Sequence, residues 1–264
     1  MQMVGKNLKL IFSYLKLNIQ KELQYKTSFF LKVIMMVANN AFFIIQWYII
    51  FSLVDNIAGY TFNDVILIWG ISAGGYGLAH LLFANAFNID EIIYEGKLDV
   101  YLTQPKSVLI NLISSSTSVS AIGDILYCFI ALAIIGAPWW WYIAIIPVII
   151  ISAIIFIGCV VTFKSIAFYV KKGGAVADVI THAIVMFGTY PGRIFTGLAK
   201  VILYTIVPVG VMVFLPAENI FMAFDFKWII GFVSIAIFWS ILAFVSFKVG
   251  LKKYNSGNLM SSRL

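Results

Sequence analysis

Charge is scarce in this chain. Of its 264 residues only 11% are Asp, Glu, Lys or Arg, while 62% are hydrophobic. Soluble globular proteins carry roughly 25% charged residues, so this composition, with a mean hydropathy of +1.00, excludes a soluble domain and indicates an integral membrane protein. Lys and Arg number 18 against 11 Asp and Glu, but so few cations spread over so much apolar sequence do not make a nucleic-acid surface; they read as topology signals. Only two cysteines occur, Cys128 and Cys159, both inside apolar stretches, which excludes a disulfide framework or a thiolate metal site and leaves them as packing residues. His80 and His182 are the only histidines, too few for a histidine-rich metal site. Also missing are a Gly-rich phosphate loop ending in Gly-Lys-Ser/Thr, a His-Glu-x-x-His pair, a nucleophile elbow and a Cys-x-x-Cys pair. An enzyme is therefore not expected, and neither is a cofactor or metal on this chain. The period-two alternation of barrel strands is absent too, so the class is all-α and polytopic.

What is present is a series of apolar runs of helical length. Residues 6–26 are too polar to span, yet Leu8, Ile11, Phe12, Leu15, Ile19 and Leu23 recur at helical spacing opposite Lys6, Lys9, Ser13, Lys16 and Gln20, which predicts an interfacial amphipathic helix. Lys9 and Lys16 interrupt this stretch and no small-residue cleavage site follows, so a signal peptide is not expected. Spans are predicted at 29–53, 65–87, 108–136, 141–169, 175–190 and 228–247. The ambiguous stretch is 191–226, where 198–215 is apolar enough to cross but Pro191, Pro208 and Pro216 punctuate it. Six crossings leave only Arg193, Lys200 and Lys227 of the 18 cationic residues outside; a seventh would send Lys248, Lys252, Lys253 and Arg263 outward, against the positive-inside rule. The segment is read as short helices that dip into the outer leaflet without crossing. Trp47, Trp69, Trp139, Trp140, Trp141 and Trp228 all fall in the outer half of this layout, where indole favours the headgroup level.

Ionisable groups inside the spans are the next place to look, because a carboxylate at mid-membrane costs about 2.5–3.5 kcal/mol on insertion scales. Asp124 is the one nearest the middle. At helical spacing it shares a face with Thr117, Ser120 and Cys128, a pattern that fits either a polar path or hydrogen-bonded packing against another helix. Lys164 and Asp178 lie at the inner ends of consecutive spans, each about 10 Å of helix from the intervening turn, where they either pair with each other or reach headgroups separately. His182 sits one turn above Asp178, spaced for a hydrogen bond. Gly70-x-x-x-Gly74 and Gly188-x-x-x-Gly192 allow close helix approach, and Asn39, Asn40 and Gln46 fit helix–helix hydrogen bonding.

The loop 88–107 is too polar for lipid. It leaves the membrane as a helix, stops at Gly96, restarts with Leu98, Tyr101 and Leu102 toward one side and stops again at Pro105. A short charged segment with apolar residues of this kind offers an amphipathic knob to a cytosolic partner; the alternative is a solvated connector.

Glu95-Gly96-Lys97-Leu98-Asp99 with Leu102 and Pro105, together with Tyr190-Pro191, Pro208 and Leu215-Pro216 before the last span, resembles the membrane subunits of ABC-2 family ABC transporters, mostly bacterial exporters. The likeness follows the segment order of nearly the whole chain. It implies a type-2 exporter permease fold: an N-terminal amphipathic elbow helix at 6–26, six transmembrane helices, and two short re-entrant helices before the last. It further implies that Glu95, Gly96, Lys97, Leu98, Asp99, Tyr101, Leu102 and Pro105 form an element coupled to a separate ATP-binding subunit. ATP and Mg would be bound by that partner, a second permease chain (identical or related) would complete the path, and the complex would sit in the bacterial cell membrane with both termini cytoplasmic. The loop has Lys97 where many relatives have arginine, and the resemblance assigns Asp124 no role. The rival reading is a secondary transporter or channel that works without an ATPase.

Overall fold

The computed structural model describes residues 2–170, 173–219 and 226–255; Lys171, Lys172, Arg263 and the 220–225 part of the expected re-entrant segment lie outside them. The described residues are helical almost throughout and contain no strand, only an isolated bridge between Ile57 and Tyr60. In chain order the helices are α1 (Gln2–Glu22), α2 (Lys26–Phe51), α3 (Phe62–Phe83), α4 (Ile89–Tyr94), α5 (Asp99–Leu102), α6 (Val108–Ser114), α7 (Ala121–Ile134), α8 (Trp139–Lys164), α9 (Gly174–Phe187), α10 (Gly197–Thr205), α11 (Leu215–Asn219) and α12 (Phe226–Leu251).

Four continuous helical stretches are long and apolar enough to cross a bilayer: Gly5–Phe51, Phe62–Tyr94, Trp139–Phe168 and Lys227–Leu251. A fifth arises if Gly197–Thr205 and Gly210–Asn219, which meet at 80°, are counted together. Helices α7 and α9 have 14 residues each, about 21 Å at 1.5 Å per residue, short of the roughly 30 Å hydrocarbon core.

The bundle is organised around α3. This helix is apolar on every side, the mark of a helix enclosed by others, and it packs against α7 and α8, while α8 also packs against α12. Its start is fixed by Asp64, whose carboxylate accepts hydrogen bonds from the Thr61 backbone N–H (2.8 Å) and hydroxyl (2.7 Å). Glycine sets the spacing. A Cβ on Gly70 would lie 2.9 Å from Ala131, and one on Gly74 would lie 2.8 Å from Ile149 and 3.0 Å from the Cys128 sulfur. The Gly70-x-x-x-Gly74 face thus meets α7 and α8 of the same chain.

The expected third span, 108–136, is interrupted. Helix α6 ends at Ser114, residues 115–120 are non-helical, and α7 begins at Ala121. The hydroxyls cause this locally: Ser115 Oγ donates to the Leu112 carbonyl (2.7 Å), competing with the helix ladder. The freed backbone pairs with the end of α3 instead, through Ser118 N–H to His80 O (3.1 Å) and Ala84 N–H to Ser116 O (3.3 Å). Two of the six expected boundary tryptophans are also internal: Trp47 packs edge-on to Tyr190, and Trp69 packs between Phe43 and Tyr127.

Candidate functional site

Chemistry-bearing side chains gather in three places. The first is the lysine-rich end of the bundle, where the loop between α3 and α6 folds back on the helices. Gly96 has a φ of +73°, a left-handed turn that glycine enters at little cost, and it reverses the chain between α4 and α5. Leu98, just after the turn, is completely buried and belongs to the main hydrophobic core. Tyr101 faces inward too, its hydroxyl 3.0 Å from Ser115 Oγ, which also accepts from Asn85 Nδ2 at 2.6 Å. The expectation that Leu98, Tyr101 and Leu102 share one outward side therefore needs correction: a four-residue helix must root part of its apolar surface in order to be ordered at all, and Leu98 and Tyr101 are the roots. Leu102 is exposed, and with it are Val100 and Tyr94, which the sequence reading missed. Glu95 and Lys97 form an exposed ion pair, and that hydrogen bond holds the Lys97 ammonium above the usual lysine range. An open cavity of about 380 Å³ lies beside them, lined by Asn85, Glu91, Glu95 and Lys97 among others.

This end of the bundle is held together by contacts between distant parts of the chain. Tyr14 of α1 donates to Asn111 Oδ1 (2.8 Å), and Asn111 Nδ2 donates to Gln104 Oε1 (2.9 Å) just before the exposed Pro105. Asn18 of α1 donates to Ser115 O and Thr117 Oγ1, both at 3.2 Å. At the end of α12, Tyr254 stacks edge-on to Phe168; burial first, and then neighbouring Asp99, push its hydroxyl up to about 12. The strongest tie is Lys164, almost fully buried at the end of α8, whose ammonium lies 2.7 Å from Asp90 of α4 and 2.8 Å from Asp178 of α9. Asp90 escaped the sequence reading, since nothing in its spacing separates it from Glu91. His182 does reach Asp178, but through the backbone: Nδ1 is 2.7 Å from the Asp178 carbonyl oxygen.

The second place is inside the bundle. Asp124, in the first turn of α7, is 5% exposed and accepts a hydrogen bond from Asn40 Nδ2 of α2 at 2.7 Å. Its other carboxylate oxygen, Oδ2, is buried without a hydrogen-bond partner among the described residues. It lines a cavity of about 260 Å³ together with Asn39, Phe43, Trp69, Ser72 and Tyr76. The expected common face with Thr117 and Ser120 does not form, because both precede the start of α7: Thr117 is held by Asn18, and Ser120 Oγ lies 3.1 Å from Ser118 Oγ. Asp124 and Cys128 share α7, where Cys128 packs against α3.

The third place is the opposite end. Tyr60 donates a short hydrogen bond to Glu218, which is 3.2 Å from Arg193 Nε, and the Arg193 guanidinium stands 4.9 Å above the Tyr60 ring. Burial and then the Glu218 hydrogen bond hold the Tyr60 hydroxyl well above the ordinary tyrosine range.

Among the described residues no group of three His, Cys, Asp or Glu is placed to hold a metal ion. The family model described as ABC-2 family transporter protein matches residues 34–257 of the chain. No curated protein and no solved structure matches it.

Proposed function

The chain belongs to the ABC-2 family of transporter proteins, membrane permeases of ABC transporters that associate with an ATP-binding subunit, and from that premise we propose that it is the permease of an exporter driven through the loop between α3 and α6. The observation that carries this reading is the exposed apolar trio Tyr94, Val100 and Leu102 on a loop rooted by Leu98 and Tyr101. Exposed apolar residues on a rigid base suit a docking surface, where a solvated connector would need neither. The adjoining 380 Å³ cavity with Glu91 and Glu95 leaves room for a partner side chain. ATP and its Mg would be held by that partner.

In this reading the lysine-rich end is cytoplasmic, α1 is the elbow helix, and its exposed Leu8 and Phe12 rest in the interface. Six crossings comprise α2, α3, α6 with α7, α8, α9 and α12, with the bent α10–α11 pair as the re-entrant segment. Closure of two ATP-binding subunits would push α5. The push would pass through Lys164 to α8 and α9 and through Asn111 to α1, the helices at the edge of a path completed by a second permease chain. Rigid ties of this kind are the physical requirement for a stroke at one end to move a helix at the other.

The test is capture of a soluble ATP-binding protein by the affinity-tagged chain. Val100→Asp with Leu102→Asp is expected to abolish capture while leaving thermal unfolding unchanged. Gradient-driven transport by the purified chain alone in liposomes would overturn the reading.

A further inference from the structure

We propose that the cavity around Asp124 binds a small hydrophobic organic cation, a quaternary or protonated amine on an apolar body. The inference rests on the permease reading and names the ligand chemistry of one wall of its path. Depth comes first. Asn40, which holds Asp124, is 14 residues from Lys26 at one end of α2 and 11 from Phe51 at the other, about 21 Å and 16 Å of helix, so the carboxylate lies near mid-membrane, where headgroups do not reach. Chain chemistry comes next. Among the described residues Asn40 satisfies Oδ1 only, Oδ2 is buried without a hydrogen-bond partner, and no Lys, Arg or His lines the cavity. A carboxylate is normally kept in a membrane span with a compensating group, and here no cationic one lines the cavity among the described residues, so the positive charge is left for a ligand to bring.

The rest of the wall suits the same ligand. Phe43, Trp69 and Tyr76 are among the residues that line the cavity, surface suited to the apolar body of such an amine. A divalent metal is a poorer fit, since among the described residues that line the cavity Asp124 is the one anionic ligand and no His or Cys stands beside it. Anionic cargo would be repelled by Asp124. The 260 Å³ volume is below the roughly 300–1,000 Å³ of sites for drug-sized molecules, which restricts the occupant to a small amine or to the charged end of a longer one.

The experiment uses the full-length chain, with any co-purifying subunit, in lipid nanodiscs. Benzyltrimethylammonium is titrated against neopentylbenzene, its neutral isostere with carbon in place of nitrogen, with empty nanodiscs as the blank. Saturable binding of the cation is expected, at least tenfold tighter than the hydrocarbon. Asp124→Asn keeps an oxygen for Asn40 and is expected to weaken the cation at least tenfold. Val185→Phe narrows the cavity from α9 while keeping the Asp124 carboxylate in the chain and is expected to weaken it similarly. Equal affinity for the two probes, no saturable binding, or unchanged cation affinity in Asp124→Asn overturns the proposal; if that variant does not fold, unchanged affinity in Val185→Phe does so. Partner capture is scored on the same preparations. Capture without cation binding rejects this site and keeps the permease reading, whereas cation binding by a chain that never captures an ATP-binding protein rejects the permease reading and keeps the site.

Discussion

Lys164 shows most clearly how single residues bear weight in this molecule. Its ammonium is almost fully buried between Asp90 and Asp178, and the two carboxylates differ in exposure, 27% for Asp90 and 53% for Asp178. Removing the cation leaves both acids facing each other, and Lys164→Ala is expected to destabilise the fold by about 3 kcal/mol, read as the shift in thermal unfolding of the purified chain. Asp178→Ala should cost less than about 1 kcal/mol because water already reaches that carboxylate, and Asp90→Ala should fall between the two; the reverse order would contradict the geometry. A second residue prediction concerns Gly77, where a Cβ would lie 2.8 Å from the Ala121 carbonyl oxygen. Gly77→Val should cost about 1–3 kcal/mol through overpacking against backbone that cannot rotate away. The candidate positions Lys164 and Asp178 were visible in the sequence because both stand at the ends of apolar runs. Asp90 was not, because its role depends on how α4 folds back under α8, and no local pattern encodes that return.

At the scale of elements, the loop between α3 and α6 behaves as a built part of the bundle. Its apolar residues divide into roots and contacts, so Leu98→Asp should act on stability, by about 3 kcal/mol or more, whereas the Val100 and Leu102 changes act on capture alone. Asn111 bridges α1 to the end of the loop and is fully buried; Asn111→Leu should strip both hydrogen bonds and cost about 1–3 kcal/mol, with faster hydrogen exchange across 99–106 as the local signature. Tyr254 gives a pH signature. Its hydroxyl is raised from 10.0 to about 12 in the fold, so the neutral side chain contributes stability that is complete below pH 10 and is lost as pH rises through about 12. Wild type should therefore lose more stability than Tyr254→Phe over that window, and a matching loss in both would remove Tyr254 from the account. The break between α6 and α7 was half-legible: the serine run was seen as unusual, but its power to stop a helix depended on α3 offering His80 O and Ala84 N–H as alternative partners.

For the whole molecule, the decisive measurement is which end faces the cytoplasm and how many times the chain crosses. Cys128 and Cys159 are buried, so single cysteines can be read against a quiet background with an impermeant maleimide on intact cells. Asn56→Cys and Lys200→Cys should label from outside, and Glu95→Cys and Asn255→Cys only after permeabilisation. Labelling of Asn255→Cys on intact cells would show that the bent α10–α11 segment crosses. At the end away from the lysines, Tyr60, Glu218 and Arg193 join the α2–α3 loop to this bent segment, so the segment is fastened at its tip whichever way the crossing count falls.

The sequence by itself determined the class of solvent this protein lives in and the helical character and approximate limits of its apolar runs, because these follow from composition and from periodicities confined to one helix. It also marked the loop and Asp124 as unusual. Only the tertiary structure decided which loop residues are buried and which are offered, that Thr117 and Ser120 part company with Asp124, and that Lys164 serves two acids. Each of those outcomes depends on pairs of groups far apart in the chain, such as Asn40 with Asp124, 84 residues away, whose meeting is set by how glycine and serine let whole helices approach. Charge was too scarce for the sequence to announce these meetings; among the described residues the buried Lys164 ammonium meets two carboxylates and Asp124 meets Asn40, while the second oxygen of Asp124 has no hydrogen-bond partner.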